Sequence, residues 1–254
     1  MSRFDSWKET TRVFKMALPE EPVDWYGLVG GGYSVKHMPP QKLFTGKPVA
    51  NFKPYESSYQ HAMSALNKLQ KTAWQINKDV LAITLKCWEN KRVIGNIPNF
   101  GEIDEQPRYT GDCPHEFRAW KLKQKDIRTA NESNSSKRYQ TCRILHLGKV
   151  YSEWDKFYFP YRCDYRGRVY ALPYYLHPQG SDLAKSLLDF SRGEQVVDED
   201  DLMSILVHGA NMWGVKGTRD ERIEWIGKRQ KFILEAANDP HGTDWWTDAS
   251  DPFC

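Results

Sequence analysis

Apolar residues recur by threes and fours between residues 57 and 90, and this period predicts one long helix. Residues spaced in this way lie on a single face of a helix, where they pack against a neighbouring element. Lys68, Lys71 and Lys78 fall off this apolar stripe and predict a basic second face. The stripe consists of Ala62, Leu66, Leu69, Ala73, Ile76, Val80, Ile83 and Cys87.

The segments before and after this helix show other patterns of apolar and polar residues. Helical patterns near residues 115–130 and 136–154 predict a second and a third helix, separated by the polar run Asn131–Ser136, which predicts a loop because it has nothing to bury. Residues 1–56 contain six prolines and predict an irregular, extended arm.

Strand-like alternation appears around residues 157–173, where apolar and aromatic side chains flank Asp164–Gly167. This pattern predicts a β-hairpin, in which Gly167 permits the turn. Arg166 and Arg168 would then be held on a rigid turn, in a geometry that suits phosphates and base edges, and Tyr170 could stack on bases. The alternative interpretation is an edge hairpin whose arginines are simply solvated.

The net charge of +3 conceals an uneven distribution. Residues 118–149 carry nine basic against two acidic side chains, whereas residues 189–254 carry seven basic against fourteen acidic ones. The basic segment, with Lys137, Arg138 and Arg143, is suited to following a phosphate backbone, and the acidic one to repelling nucleic acid or meeting a basic partner. For both segments the alternative interpretation is that the charged side chains only line the solvated faces of helices.

The composition also bears on the compartment and on metal binding. The five cysteines form no C-x-x-C pair, which indicates a reducing compartment and no structural zinc site. No apolar run reaches the roughly 18 residues of a membrane span. We therefore expect a cytoplasmic protein without a membrane partner.

The segment Asp164–Arg168 resembles the D-x-x-G-R motif of the single-subunit RNA polymerases of bacteriophages and mitochondria. Other short motifs similar to those of the family occur in the same order along the chain, and together they run from about residue 20 to residue 254. They are Gly30–Tyr33, Thr72–Asn77, Phe159–Tyr161, Arg166–Tyr170, Pro178–Gly180, His208–Asn211, Trp245–Trp246 and Asp251–Cys254.

This resemblance implies an α+β fold, in which an extended arm at residues 1–56 is followed by a helical thumb-like region at 57–153 and by the first, incomplete part of a palm at 154–254. Asp164 and Gly167 would shape the motif. Lys185, in the palm, would contact template or hybrid together with the motif's Arg166, Arg168 and Tyr170. The thumb-like region would grip nucleic acid through Lys68, Lys71, Lys78, Lys137, Arg138 and Arg143.

In this family the two metal-binding aspartates and the nucleotide-binding helix lie beyond the part that resembles Asp251–Cys254. The expectation is therefore a subunit with no catalytic residue and no metal ligand of its own, most similar to the small, N-terminal subunit of a split phage polymerase. A second subunit would ligate Mg²⁺ and bind through Trp245–Trp246 and the segment up to residue 254.

Template DNA and nascent RNA are the other expected partners, with an accessory DNA-binding factor at duplex promoters. The expected location of a phage-encoded enzyme is the host cytoplasm. The alternative is a non-catalytic protein that binds single-stranded nucleic acid and derives from a polymerase thumb.

Overall fold

A computed structural model describes residues 15–33, 40–46, 56–95 and 97–254 of the chain. Its helices are α1 (Glu56–Gln70), α2 (Lys78–Glu89), α3 (Pro114–Tyr151), α4 (Asp182–Ser186), α5 (Glu199–Trp213), α6 (Arg219–Gly227) and α7 (Gln230–Asn238), followed by a 3-10 helix at Trp245–Asp248. Its strands are β1 (Phe44–Thr45), β2 (Ala73–Ile76), β3 (Phe157–Tyr158), β4 (Tyr161–Asp164), β5 (Val169–Ala171) and β6 (Leu188–Phe190). The predicted α+β class is thereby confirmed.

The chain divides into two compact units. The first contains residues 1–75, 151–179 and 188–193, and the second contains residues 76–150, 180–187 and 194–254. Each unit draws on more than one of the three predicted regions. The assignment of those regions to an arm, a thumb and a palm remains a prediction.

Two small sheets form the first unit. One has the order β1-β4-β5, in which β1 runs parallel and β5 antiparallel to β4, and the other has the order β3-β2-β6. Between the strands lies an aromatic core in which Trp25, Phe157 and Phe159 are almost fully buried. The indole Nε1 of Trp25 donates a hydrogen bond to the carbonyl oxygen of Tyr161 at 3.0 Å and so ties the early chain to β4.

The prediction of one helix over residues 57–90 is wrong. Helix α1 ends at Gln70, strand β2 follows, and α2 begins after Asn77, whose side chain accepts a hydrogen bond from the Val80 N–H at 3.0 Å. The interruption is stabilised by pairing that is remote in sequence, because Ala73 and Trp74 lie opposite Tyr158 and Phe157 in an antiparallel ladder. The apolar period continues through the strand and does not reveal the break.

The predicted loop at residues 131–136 is also wrong, because α3 runs without interruption through it. Asn131 accepts a hydrogen bond from the Ile103 N–H and donates one to the Ile103 carbonyl oxygen, both at 2.9 Å. Arg138 adds a hydrogen bond from its guanidinium to the Phe100 carbonyl oxygen at 2.7 Å. The polar run is therefore helical. Asn131 within it and Arg138 after it bind the backbone of the segment that precedes α3.

In the second unit, α5 and α6 pack against each other and meet the final segment through stacked tryptophans. Trp245 stacks on Trp213 with ring centroids 4.2 Å apart, and Phe253 is 7% exposed. Trp245 and Phe253, which belong to the segment expected to continue into a partner interface, are thus already engaged within their own unit. No helix in the described ranges is long and apolar enough to cross a membrane.

Candidate nucleic-acid interface

The predicted hairpin is present, with β4 and β5 as its strands. Arg162 lies opposite Tyr170 and Cys163 lies opposite Val169 in the antiparallel ladder. The turn between them is closed by a hydrogen bond from the Gly167 N–H to the Asp164 carbonyl oxygen at 3.0 Å. Gly167 has φ +82°, a left-handed conformation that side chains other than glycine rarely adopt.

The carboxylate of Asp164 organises this turn. Its Oδ1 accepts hydrogen bonds from the backbone N–H groups of Arg166, at 2.8 Å, and Arg168, at 3.0 Å, and its Oδ2 accepts one from the Tyr170 hydroxyl at 3.2 Å. The hydrogen bond from the Arg168 backbone is the main reason why the pKa of Asp164 lies below its ordinary value. Asp164 therefore carries a negative charge and orders the backbone of the motif.

The motif side chains project from the ordered turn. Arg166 and Arg168 are exposed, and neither guanidinium donates a hydrogen bond to any residue that the structure describes. Tyr170 is 38% exposed. Tyr165 supports the turn by stacking on Phe44 of β1, with ring centroids 5.4 Å apart. The arrangement presents two cations and one phenol ring on a fixed backbone.

Gln179 is a further residue of this site that sequence reasoning missed. Its amide Nε2 donates to the Val169 carbonyl oxygen at 2.7 Å, and its Oε1 accepts from the Ala171 N–H at 2.8 Å. One side chain thus bonds β5 on the side that faces away from β4. Its place in the short motif Pro178–Gly180 is the only signal for it along the sequence.

Two of the predicted basic residues lie in or next to α1, which packs against β4 in the same unit. Lys71 forms an ion pair with Asp24 at 3.0 Å, whereas Lys68 is exposed and forms no ion pair within the described ranges. Both lysines line an open groove of about 790 Å³ that also contains Tyr26 and Tyr59. A basic edge beside aromatic rings is compatible with nucleic-acid contact.

The remaining predicted basic residues lie in the second unit. On α3, Lys137 is exposed, Arg138 is held by Phe100 and Glu102, and the Arg143 Nε donates to the Tyr139 hydroxyl at 3.1 Å. Lys78, at the start of α2, and Lys185, in the last turn of α4, are exposed as well. Exposed lysines can neutralise phosphates, whereas Arg138 has a structural partner already.

No cluster of three or more His, Cys, Asp or Glu side chains that could hold a metal ion occurs among the described residues. The five cysteines are free thiols. The described residues thus do not fit a magnesium site, and what the hairpin brings together is exposed cations and aromatic rings.

Comparison with known proteins adds family information to this geometry. A family model described as DNA-dependent RNA polymerase matches residues 195–254. The DNA-directed RNA polymerase of Enterobacteria phage T3 is 33% identical over 239 residues, which cover 92% of this chain and 27% of that protein.

Similar matches extend to a second phage and to an organelle. T7 RNA polymerase of Escherichia phage T7 is 32% identical, with coverage of 92% of this chain and 27% of that protein. A mitochondrial DNA-directed RNA polymerase of Neurospora crassa is 29% identical, with coverage of 95% of this chain and 17% of that protein. The chain spans about a quarter, or less, of the length of these relatives.

Proposed function

Since the chain belongs to the family of single-subunit RNA polymerases of bacteriophages and mitochondria, we propose that it is a subunit of a DNA-directed RNA polymerase. In this proposal it grips the template strand and the RNA–DNA hybrid. The single observation that carries the proposal is the Asp164-ordered turn, which presents Arg166 and Arg168 to solvent without partners among the described residues.

Preorganisation of the turn supports this proposal. A guanidinium group forms strong, charge-assisted hydrogen bonds to phosphate oxygens, and its planar donors also match base edges. Because the backbone of the turn is fixed before binding, less conformational entropy is lost when the contact forms. Tyr170, on the same hairpin and hydrogen bonded to Asp164, adds an aromatic surface on which a base or sugar can pack.

Helix α3 supplies a second kind of contact. Residues 118–149 carry nine basic and two acidic side chains, and Lys137 is exposed on the helix. Phosphate contacts from such a surface hold nucleic acid without reading its sequence and permit sliding. We assign Lys78, Lys185 and Lys68 to the same role, and we propose the names thumb for residues 57–153 and palm for residues 154–254 on this basis.

Catalysis belongs, in this proposal, to a second polymerase subunit that carries the two metal-binding aspartates and ligates Mg²⁺. The reaction is attack of an RNA 3′-hydroxyl on the α-phosphate of a nucleoside triphosphate, with release of pyrophosphate. This chain's own part is to position template and hybrid. An accessory DNA-binding factor would serve at duplex promoters, and the host cytoplasm is the proposed location.

The test combines binding with reconstitution. The full chain is titrated with an RNA–DNA hybrid at several salt concentrations, and nucleotide incorporation is then measured with the second subunit and Mg²⁺. Arg168→Ala should weaken hybrid binding at least about tenfold, since a charge-assisted contact contributes about 1.5–3 kcal/mol. Arg192→Ala, which removes an exposed arginine outside the motif, is the matched control.

The outcomes separate the two candidate functions. Incorporation that requires both chains and fails with Arg168→Ala supports the polymerase subunit. Tight binding of single strands without any stimulation of incorporation by the second subunit would favour a non-catalytic nucleic-acid-binding protein. Equal hybrid binding by the wild type and Arg168→Ala would remove the motif from the interface.

A further inference from the structure

Arg162 lies on β4 beside the motif, but it has no role in the turn. The strand alternates, so that Tyr161 and Cys163 are buried in the core whereas Arg162 and Asp164 share the other face. Arg162 pairs with Tyr170 across the ladder, which places a cation and a partly exposed ring on one face of the hairpin.

The guanidinium of Arg162 is half-buried and unsatisfied. Its Nε atom is buried without a hydrogen-bond partner, and the guanidinium forms no ion pair with the residues that the structure describes. The nearest carboxylate along the strand, that of Asp164, already accepts from Arg166, Arg168 and Tyr170. A buried donor without an acceptor costs free energy, more so when it carries charge.

A second cation, Lys15, belongs to the same unit as Arg162 and interacts with it electrostatically. The Lys15 Nζ donates to the Gln41 Oε1 at 2.6 Å, and no carboxylate of the described chain pairs with it. Burial, together with the positive charge of Arg162, lowers the pKa of Lys15 below its ordinary value. Two interacting like charges are therefore held partly out of water, and no carboxylate of the described residues neutralises them.

The backbone around Lys15 is fixed. The Lys15 carbonyl oxygen accepts from the Tyr174 N–H at 3.1 Å, the Ala17 N–H donates to the Tyr151 hydroxyl at 2.9 Å, and Leu18 exchanges two backbone hydrogen bonds with Tyr158. The ammonium group thus extends from a segment whose backbone is anchored to Tyr174, Tyr151 and Tyr158.

We propose that Lys15 and Arg162 form a second phosphate-binding subsite, which holds a backbone phosphate of the nucleic-acid strand that contacts the Arg166–Arg168 turn. A phosphodiester accepts hydrogen bonds from both cations at once, neutralises their repulsion and satisfies the guanidinium. The inference rests on the proposed function, because the exposed arginines of the same hairpin and Tyr170 select a nucleic-acid strand as the source of the phosphate.

The test scans one phosphate at a time. A single-stranded DNA oligonucleotide is prepared as a series in which one linkage at a time is an uncharged methylphosphonate, and each member is titrated with the full chain. The wild type should bind about tenfold more weakly to the oligonucleotide whose methylphosphonate replaces the contacted phosphate, because a charge-assisted hydrogen bond is removed. Arg162→Gln should bind the unmodified strand correspondingly more weakly and should no longer respond to the methylphosphonate at that linkage.

Matched variants define the controls. Lys15→Gln should lose sensitivity at the same linkage as Arg162→Gln, whereas Arg168→Ala should lose it at a different one. Lys42→Gln, which neutralises an exposed lysine in the segment next to Gln41, should keep the wild-type pattern. If the losses of binding free energy caused by Arg162→Gln and by a methylphosphonate add up at every linkage, the subsite is overturned.

Failure of the subsite and failure of the function are distinguishable. A linkage that depends on Arg168 but none that depends on Lys15 or Arg162 would refute the subsite and leave the function standing. Absence of any nucleic-acid binding by the wild type would refute both. If Arg162→Gln does not fold, the pKa of the Lys15 amine, followed by NMR in the wild type, decides: it should rise when the oligonucleotide is added, and an unchanged value would overturn the proposal.

Discussion

The Oδ1 atom of Asp164 accepts a hydrogen bond from the backbone N–H group of Arg168 at 3.0 Å, so the motif's acid holds the backbone of the motif's arginine and not its guanidinium. The guanidinium consequently remains exposed and available. Asp164 can therefore stand among the motif's arginines without a hydrogen bond to either guanidinium group.

Replacement of Asp164 should therefore weaken nucleic-acid binding although it removes a negative charge. Asp164→Ala abolishes three hydrogen bonds that fix the turn, and Asp164→Asn keeps an acceptor for the Arg166 and Arg168 N–H groups. We expect hybrid affinity in the order wild type, Asn, Ala, as measured by fluorescence anisotropy. Stronger binding by Asp164→Ala would show that only its charge matters.

The pH dependence of the same residue has a definite sign. Because its pKa is lowered in the folded protein, the charged carboxylate contributes stability above the ordinary pKa, and this stability is lost as the pH falls through the lowered value. Thermal unfolding of the wild type should thus lose stability in acid relative to Asp164→Asn. Parallel pH curves for the two proteins would contradict this account.

Asp182 should show the opposite dependence. Burial raises its pKa above the ordinary value, and its Oδ1 has no hydrogen-bond partner within the described part of the chain. Between the two pKa values the folded state binds a proton that the unfolded state lacks, so the free energy of unfolding falls as the pH rises through that window. Asp182→Asn, which can still accept from the Phe253 N–H, should remove this slope in denaturant titrations.

Two basic residues that are adjacent on α3 should behave differently. Lys137→Gln should reduce the slope of log affinity against log salt by about 0.9 on duplex nucleic acid, because an exposed lysine releases a counterion. Arg138→Gln removes the hydrogen bond to the Phe100 carbonyl oxygen and should lower the free energy of unfolding by about 1 kcal/mol. Salt-dependent binding and urea denaturation are measured for both variants. Identical salt slopes and identical free energies of unfolding for the two variants would refute this difference.

A side chain at Gly31 should destabilise the fold, whereas one at Gly27 should not. A Cβ atom on Gly31 would overlap the indole of Trp25, which is buried and hydrogen bonded to Tyr161, whereas a Cβ on Gly27 meets nothing within 4 Å. Gly31→Ala should cost about 1–3 kcal/mol of unfolding free energy through overpacking. The Gly27→Ala variant, measured in the same urea titration, is the control and should change little.

Local chemistry predicts the hairpin but not the end of the first helix. The hairpin was predictable because its turn depends on Gly167 and on the alternation of neighbouring residues. The break after Gln70 was not, since β2 exists through pairing with Tyr158 and Phe157, more than eighty residues away. The spacing of apolar residues along the chain contains no information about such a distant pairing partner.

The same reason accounts for the error at α3 and for the absence of any prediction about Arg162. Asn131 stays helical because it also bonds both backbone groups of Ile103. The electrostatic interaction of Lys15 with Arg162 joins residues at distant points of the first unit's sequence and leaves no local signature. The acid that orders the motif was predictable, and the cation beside it was not.

The side chain of Gln179 occupies the outer border of β5 as a neighbouring strand would. Strand borders with free N–H and carbonyl groups are templates on which other chains align and aggregate. By bonding Val169 and Ala171, a single glutamine terminates the three-stranded sheet. The strand that follows the two motif arginines therefore offers neither the Ala171 N–H nor the Val169 carbonyl oxygen to a strand of another chain.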